Sequence, residues 1–221
     1  MVEKSQECQK HANAEETRAA ILAAALEEFA IHSVDGARTR EIARKAKVNH
    51  AAINYHFGGK DEMYFKIIRE TIDTFEEKFR PIYAEVEDFL AKDGKDKAKA
   101  IDLIKRILIL HHDIILSPSF PWFYLLLRRE EIFPTKAFDL VFKRSYKPAH
   151  QNFAKLVDIA TEFKLSPKEN SMMAVGLMSL NGALTSCKTP FLKLNCQESI
   201  TKEDLELFKN LIVTSVDKLL Q

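Results

Sequence analysis

Glycine and proline are scarce in this 221-residue chain, six and seven in all, which excludes collagen-like and low-complexity classes and leaves little to interrupt helices. The three cysteines, Cys8, Cys187 and Cys196, are odd in number and widely scattered. They suit a reducing cytoplasm better than a disulfide scaffold. No apolar run approaches the roughly 18 residues of a membrane span; the longest, Phe120 to Leu127, contains Pro121. The first twenty residues carry no apolar segment, so no signal peptide is expected. Missing too are GxGxxG, P-loop, HExxH and CxxC patterns, and no histidine has Glu three residues before it. The usual nucleotide, zinc and di-iron chemistries therefore have no carrier, and no cofactor is expected. Charge of one sign is also lacking: 33 Lys and Arg face 32 Asp and Glu, a formal +1, which argues against a wholly basic nucleic-acid coat protein. What is present is 46% hydrophobic residues, enough to bury a substantial core.

The average conceals an asymmetry. Between Gly36 and Lys60 stand Arg38, Arg40, Arg44, Lys45, Lys47 and Lys60 against the single acid Glu41, a local +5 that leaves the other 196 residues at −4. A patch of that density can steer a polyanion to one end of the molecule. It can equally be a solvated basic surface, so its setting has to decide.

That setting is helical. Asn13 and Glu16 have capping-box spacing, and Ile21, Leu22, Ala25, Leu26 and Phe29 share one face of a helix from about 15 to 32. Asp35 and Gly36 break it. A short helix from 39 to 46 turns Ile42, Ala43 and Ala46 inward, with Arg40, Glu41, Arg44 and Lys45 outward. Asn49 caps a second, from 50 to 56, which Gly58 and Gly59 end. Two short helices joined by a tight turn around a buried Val48 make a helix-turn-helix, whose second helix enters the major groove N-terminus first.

The segments TRAAILAAALEEFA and TREIARKAKVNHAAINYHFGGKDEMY resemble the DNA-binding domain of TetR-type (tetracycline-repressor-like) bacterial regulators. The likeness covers about residues 15 to 65 and rests on Phe29, Ile42-Ala43, Ala46, Val48, Ile53, Tyr55-His56-Phe57 and Lys60. AAINYHF with GGKDEMY, and the later RREEIFPTKAFD, resemble the subgroup with a CecR-like (CerR-like) C-terminal domain. The pattern is broken at Ser33 (usually Gly), Arg38 (usually a capping Thr, a task left to Thr39), Lys47 (usually the turn Gly) and Asn54 (often Tyr). Lys47 then needs a left-handed backbone, at a cost of about 1 kcal/mol.

Roles follow. Arg40 is the candidate for a base edge, since its guanidinium can hold guanine O6 and N7 together. His50, Ala51 and Ala52 form the leading turn of the recognition helix, where alanine permits close approach and contact with a thymine methyl. Arg38, Lys47, Asn49, Tyr55, His56 and Lys60 are placed for phosphates. For Tyr55 and His56 the alternative is packing against the first helix, and Asn54 either contacts DNA or packs internally.

Beyond residue 61 the pattern predicts helices at 61–79, 82–92, 97–116, 119–131, 135–163, 168–187 and 202–220, with prolines at or near the joints and 188–200 as a loop. The chain thus reads as all-α: a frayed arm over 1–14, a DNA-binding head over 15–60, and a helical domain over 61–221. His111 lies on an apolar stripe with Ile104, Leu108 and Ile115; it is either a satisfied core residue or a polar anchor in a pocket. The aromatic cluster Phe120, Trp122, Phe123 and Tyr124 has the same two readings. The resemblance implies effector binding in this domain, giving His111, Trp122, Phe123, Leu126 and Phe142 as lining for an apolar or aromatic molecule. On helix 168–187, Met173, Leu177, Leu180 and Leu184 form a ridge beside the small residues Gly176 and Ala183; on helix 202–220, Leu205, Phe208, Ile212 and Leu219 repeat at helical spacing. These read as a two-fold four-helix dimer interface, with intrachain core as the alternative.

The resulting expectation is a cytoplasmic homodimeric repressor without catalytic activity, bound to a palindromic operator and released by a small effector. A helical carrier of a hydrophobic molecule is the alternative, but it leaves the +5 patch unexplained.

Overall fold

In the computed structural model the described residues are 2–92, 95–117 and 121–220, with side chains from Asn13 onward, Pro121 excepted. The expectations for Phe120, Pro118 and the side chain of Cys8 lie outside them. No strand occurs among the described residues.

Helix α1 runs Val2–Gly36, so the frayed arm expected over residues 1–14 is corrected to helix from Val2. The segment is rich in Glu, Lys, Gln and Ala and has neither Gly nor Pro, and intrinsic propensity carries the helix past Asn13. Asn13 consequently caps nothing; its carbonyl accepts from Thr17 Oγ1 at 2.7 Å. The helix kinks at Ser33, whose φ of 65° and ψ of 173° leave the helical region. This is the position where the sequence departs from the expected glycine.

Two short helices follow, α2 (Thr39–Lys45) and α3 (His50–Phe57), then the long α4 (Lys60–Lys92). A break at Pro81 was expected, and α4 instead continues through it. Phe79, Ile82 and Val86, all buried at helical spacing within the second unit, anchor the helix on both sides of the proline, and this outweighs the roughly 3 kcal/mol that an interior proline costs. Next come α5 (Lys97–Ile115), α6 (Pro121–Ile132), α7 (Phe138–Val141), a π turn over Phe142–Tyr146, and α8 (Lys147–Ala160). The single helix expected over 135–163 is therefore interrupted, beside Pro148, which lacks the N–H that a regular ladder needs. The expected helix 168–187 is likewise divided into α9 (Pro167–Ser179), a 3-10 turn over Leu180–Gly182, and α10 (Ala183–Ser186). The expected loop contains α11 (Lys188–Leu194), and α12 (Lys202–Leu220) ends the chain. Side chains secure the starts: Asp96 accepts from Lys99 N at 3.0 Å, and Ser166 with Glu169 forms a capping box.

The chain forms two compact units, Met1–Phe75 with Pro121–Phe142, and Glu76–Phe120 with Lys143–Gln221. The boundary placed at residue 60 thus falls within α4, and α6 belongs with the head. In the first unit α6 packs on α1, and Ile21, Ala25, Phe29, Ile42, Ile53, Phe57 and Met63 form the core. In the second, α5 packs against α8 and α12, and α8 against α9. Leu103, Ile104, Phe153, Leu156, Leu177, Ile212 and Val216 are buried there. Burying a side chain of this size contributes about 1.5–3 kcal/mol.

Candidate nucleic-acid interface

The geometry of the head begins with its turn. Ala46 N and Val48 N donate to Ile42 and Ala43 carbonyls at 2.9 and 3.0 Å, and Lys47 sits between them at φ 56°. The left-handed lysine expected from the sequence is present, and Val48 is half-buried beneath it. Asn49 Oδ1 accepts from Ala51 N at 3.0 Å and caps α3; Gly58, at φ 77°, ends it. Ile53 and Phe57 lock α3 to the core, so its opposite face, with His50, Ala51, Asn54 and Tyr55, is exposed, and Ala52 lies half-buried.

Thr39 does not cap α2. Arg38 occupies the cap position without a side-chain bond, and Thr39 Oγ1 lies 2.8 Å from His50 Nε2. The first residue of α2 is thereby tied to the first residue of the recognition helix, and one imidazole nitrogen is committed to protein while Nδ1 remains for another partner.

Ion pairing sorts the basic patch. Arg44 is paired with Glu41 at 2.9 Å, and Lys45 with Glu27 and Glu28 at 3.0 and 3.1 Å. Burial alone would pull the Lys45 ammonium down, but its hydrogen bonds to the two carboxylates hold it above the ordinary lysine value. Lys45 is thus a structural cation, whereas the Arg44 pair lies on the surface. Arg38, Arg40 and Lys47 are exposed and make no ion pair among the described residues. Lys60, half-buried, donates to Asp35 O at 3.4 Å and ties the start of α4 to the end of α1. Tyr55 is 83% exposed, so it does not pack on the first helix. His56 behaves differently. It is half-buried, with its ring 5.0 Å from Tyr55 and 6.3 Å from Phe57, and it borders an open groove of about 330 Å³ lined also by Glu62, Lys66, Arg69, Glu70 and Asp73. Three acids against two bases make that groove a poor seat for phosphate.

Two features of the head were not visible in the sequence. Arg129 on α6 donates to the carbonyls of Ala30 and Ile31 at 3.3 and 2.9 Å, in the turn before the Ser33 kink. Beside it, the buried Glu130 accepts from Tyr64 Oη, and from Thr135 N and Oγ1 at 3.1 and 2.9 Å. Burial, then the bond to Glu130, pushes the Tyr64 phenol well above its usual range. The sequence signal was a run of four charged residues, Arg128 to Glu131, closing an otherwise apolar helix.

The residues expected to line an effector pocket are divided between the units. His111 belongs to the second, while Trp122 and Phe123 (half-buried), Leu126 (fully buried) and Phe142 (exposed) belong to the first. Leu126 is core, and the exposed Phe142 ring lies tilted against Phe138, 6.1 Å between centroids. Of the expected interface residues, Leu177, Leu184 and Ile212 are buried within one protomer and are corrected to intrachain core. Met173, Leu180, Leu205 and Phe208 are half-buried, and Phe208 stacks on His112 at 5.5 Å. Gly176, Ala183 and Leu219 are exposed. Around them Met172, Val175, Leu207 and Leu211 are exposed too, so the open apolar stripe is rotated from the one expected.

Residues 21–67 match the model of bacterial regulatory proteins of the tetR family, and residues 101–220 match the C-terminal domain of the HTH-type transcriptional dual regulator CecR. The chain is 28% identical over 213 residues to the dual regulator CecR of Shigella flexneri, covering 94% of this chain and 92% of that one. Over 70 residues it is 41% identical to the HTH-type regulator SrpR of Pseudomonas putida, 32% of this chain and 33% of that one. The fold is similar to that of AibR in complex with isovaleryl coenzyme A and operator DNA, at a TM-score of 0.66 and 15% identity over 90% of this chain and 97% of that one. These relatives are transcriptional regulators rather than enzymes. The chain belongs to the TetR family of bacterial regulators, in the group with a CecR-type C-terminal domain, and is a DNA-binding transcriptional regulator.

Proposed function

We propose that the protein is a ligand-responsive repressor that binds a palindromic operator as a homodimer and leaves it when a small apolar or aromatic effector occupies the C-terminal domain. The observation that carries the DNA half of this reading is that Arg38, Arg40 and Lys47 are exposed and without an ion pair among the described residues, in the same helix-turn-helix as the exposed face of α3. Arg40 reads a base edge, with His50, Ala51 and Ala52 against neighbouring bases; Arg38, Lys47, Tyr55 and the free amide hydrogens of Asn49 meet phosphates. Asn54 is on the same open face. Two-fold symmetry pairs the recognition helices, so half-sites lie about one helical turn, or a modest multiple, apart.

The effector half is supported by the solved relative whose complex holds both isovaleryl coenzyme A and operator DNA. Release requires differential affinity: moving from 1:99 to 99:1 takes about 5.5 kcal/mol between the two states. His111 in the second unit and, separately, Trp122 and Phe123 in the first remain candidates for contact, whereas Leu126 is core of the first unit.

The test is retention of the protein on DNA from its own upstream region. Arg40→Ala should weaken binding to the selected operator by about 1–3 kcal/mol and affect random DNA less. Equal losses on both would make Arg40 a phosphate contact, and no selected sequence at all would end the operator reading.

A further inference from the structure

The second unit contains a cluster that combines aromatic walls with polar atoms. Phe79 and Tyr83 stand four residues apart on one face of α4, with rings 5.7 Å apart, and the His111 ring of α5 meets Phe79 edge-on at 5.8 Å. Asn181 reaches the same place from the 3-10 turn that divides α9 from α10: its Nδ2 donates to His111 Nδ1 at 3.2 Å. A regular helix would carry residue 181 onward along the α9 axis; the tightened turn redirects it inward.

Three properties make this cluster more than core. Tyr83 and His111 are surrounded by protein so fully that burial pushes the phenol up to about 12 and, with the neighbouring His112 charge, the imidazole down to about 4. Both nevertheless keep accessible surface, so a molecule can reach their rings. Asn181, by contrast, has no accessible surface, and its Oδ1 has no hydrogen-bond partner among the described residues. More than about nine in ten buried polar atoms are partnered, so this acceptor calls for a donor from outside the chain. The donation from Nδ2 to His111 fixes which way the amide points and leaves the carbonyl oxygen as the group on offer.

We propose that Phe79, Tyr83, His111 and Asn181 form the recognition end of the effector site, and that its ligand is an uncharged, flat, mainly apolar molecule with one hydrogen-bond donor that meets Asn181 Oδ1. This rests on the ligand-responsive reading above. No lysine or arginine belongs to the cluster, and Lys209, whose charge reaches His112, is held by Asp113 and Glu206 at 2.8 and 3.1 Å. A carboxylate would meet the lone pairs of Oδ1, and no described lysine or arginine shifts Tyr83 or His111 so as to offset the repulsion.

Three matched probes test it on the full chain by calorimetry: 2-naphthol, 2-methoxynaphthalene and 2-naphthoate. Naphthol should bind at least about tenfold tighter than either analogue, the margin for a lost buried hydrogen bond. Asn181→Leu should bring naphthol and methoxynaphthalene to within about twofold while still binding both. Tightest binding of naphthoate, equal binding of the first two probes to the wild-type chain, or binding of none overturns the proposal, whether or not the variant folds. Naphthol bound as described with no change in operator affinity would leave the site standing and overturn effector-driven release. Operator release by some other class of molecule, with naphthol inert, would do the reverse.

Discussion

Thr39 and His50 show how single side chains set a reading surface. An isolated imidazole at the first position of a helix rotates freely and offers either nitrogen. The 2.8 Å bond from Thr39 occupies Nε2, and with the hydroxyl donating, Nδ1–H faces outward as a donor suited to guanine acceptors or phosphate oxygen. Thr39→Val keeps the shape and removes the hydroxyl. It should weaken operator binding about three- to thirtyfold, of the order of one hydrogen bond, and Thr39→Ser should restore most of it. Nitrogen NMR of the imidazole should show a loss of Nδ1–H preference in the valine variant. Equal affinity for Thr39→Val and wild type, with an unchanged imidazole spectrum, would make the contact incidental. Lys45 is the counterexample at this scale: an equally basic residue in the same patch is drawn away from DNA by Glu27 and by Glu28, which is 4% exposed.

At the scale of elements, what the sequence made legible was periodicity and what it hid was partnership. The turn at Lys47, the Asn49 cap and the Gly58 stop depend on residues within a few positions of one another, so spacing was sufficient. Pro81 reads locally as a break because its effect depends on the buried residues flanking it, and 168–187 reads as one helix because Asn181 fits a helix until its partner on α5 is known. The Arg129 contacts and the Tyr64–Glu130 bond join residues 66 to 99 positions apart, beyond the reach of any local pattern. Their role can be measured. Glu130→Ala strands the buried Tyr64 hydroxyl and the Thr135 donors, which should lower stability by about 1–3 kcal/mol in urea unfolding. Because α1 and α4 carry the helix-turn-helix, operator affinity should fall with it. Stability unchanged within about 0.5 kcal/mol would show that water replaces the carboxylate.

For the molecule as a whole, pH and concentration are the informative variables. His111 is held down to about 4 by burial and the His112 charge, against an ordinary value of 6.5. Between those values the unfolded chain binds more protons than the folded one, so stability should be complete above about pH 6.5 and decline as pH falls toward 4, by on the order of 1–3 kcal/mol. His111→Gln should flatten that part of the curve; an identical slope in the variant would place the titration elsewhere. Glu85, brought to about 2 first by its hydrogen bonds to Arg106 and Lys99, loses its contribution in a lower window, from about 4.5 downward. The two are therefore separable.

Concentration tests the assembly. Met172 and Val175 on α9 and Leu207 and Leu211 on α12 are each more than half exposed, and a Cβ added at Gly176 would meet nothing within 4 Å. An apolar stripe with a small residue in it suits close helix packing across a two-fold axis, and single-chain burial leaves it open. Val175→Glu with Leu211→Glu places charge on that stripe without touching the protomer core, so the circular dichroism spectrum should be preserved. Sedimentation at micromolar concentration should shift from dimer to monomer. Operator affinity should then fall by about a hundredfold or more, because the second half-site is no longer bound intramolecularly. A single half-site should be bound as before, which separates lost avidity from a damaged head. A double variant that still sediments as a dimer would move the interface to another face.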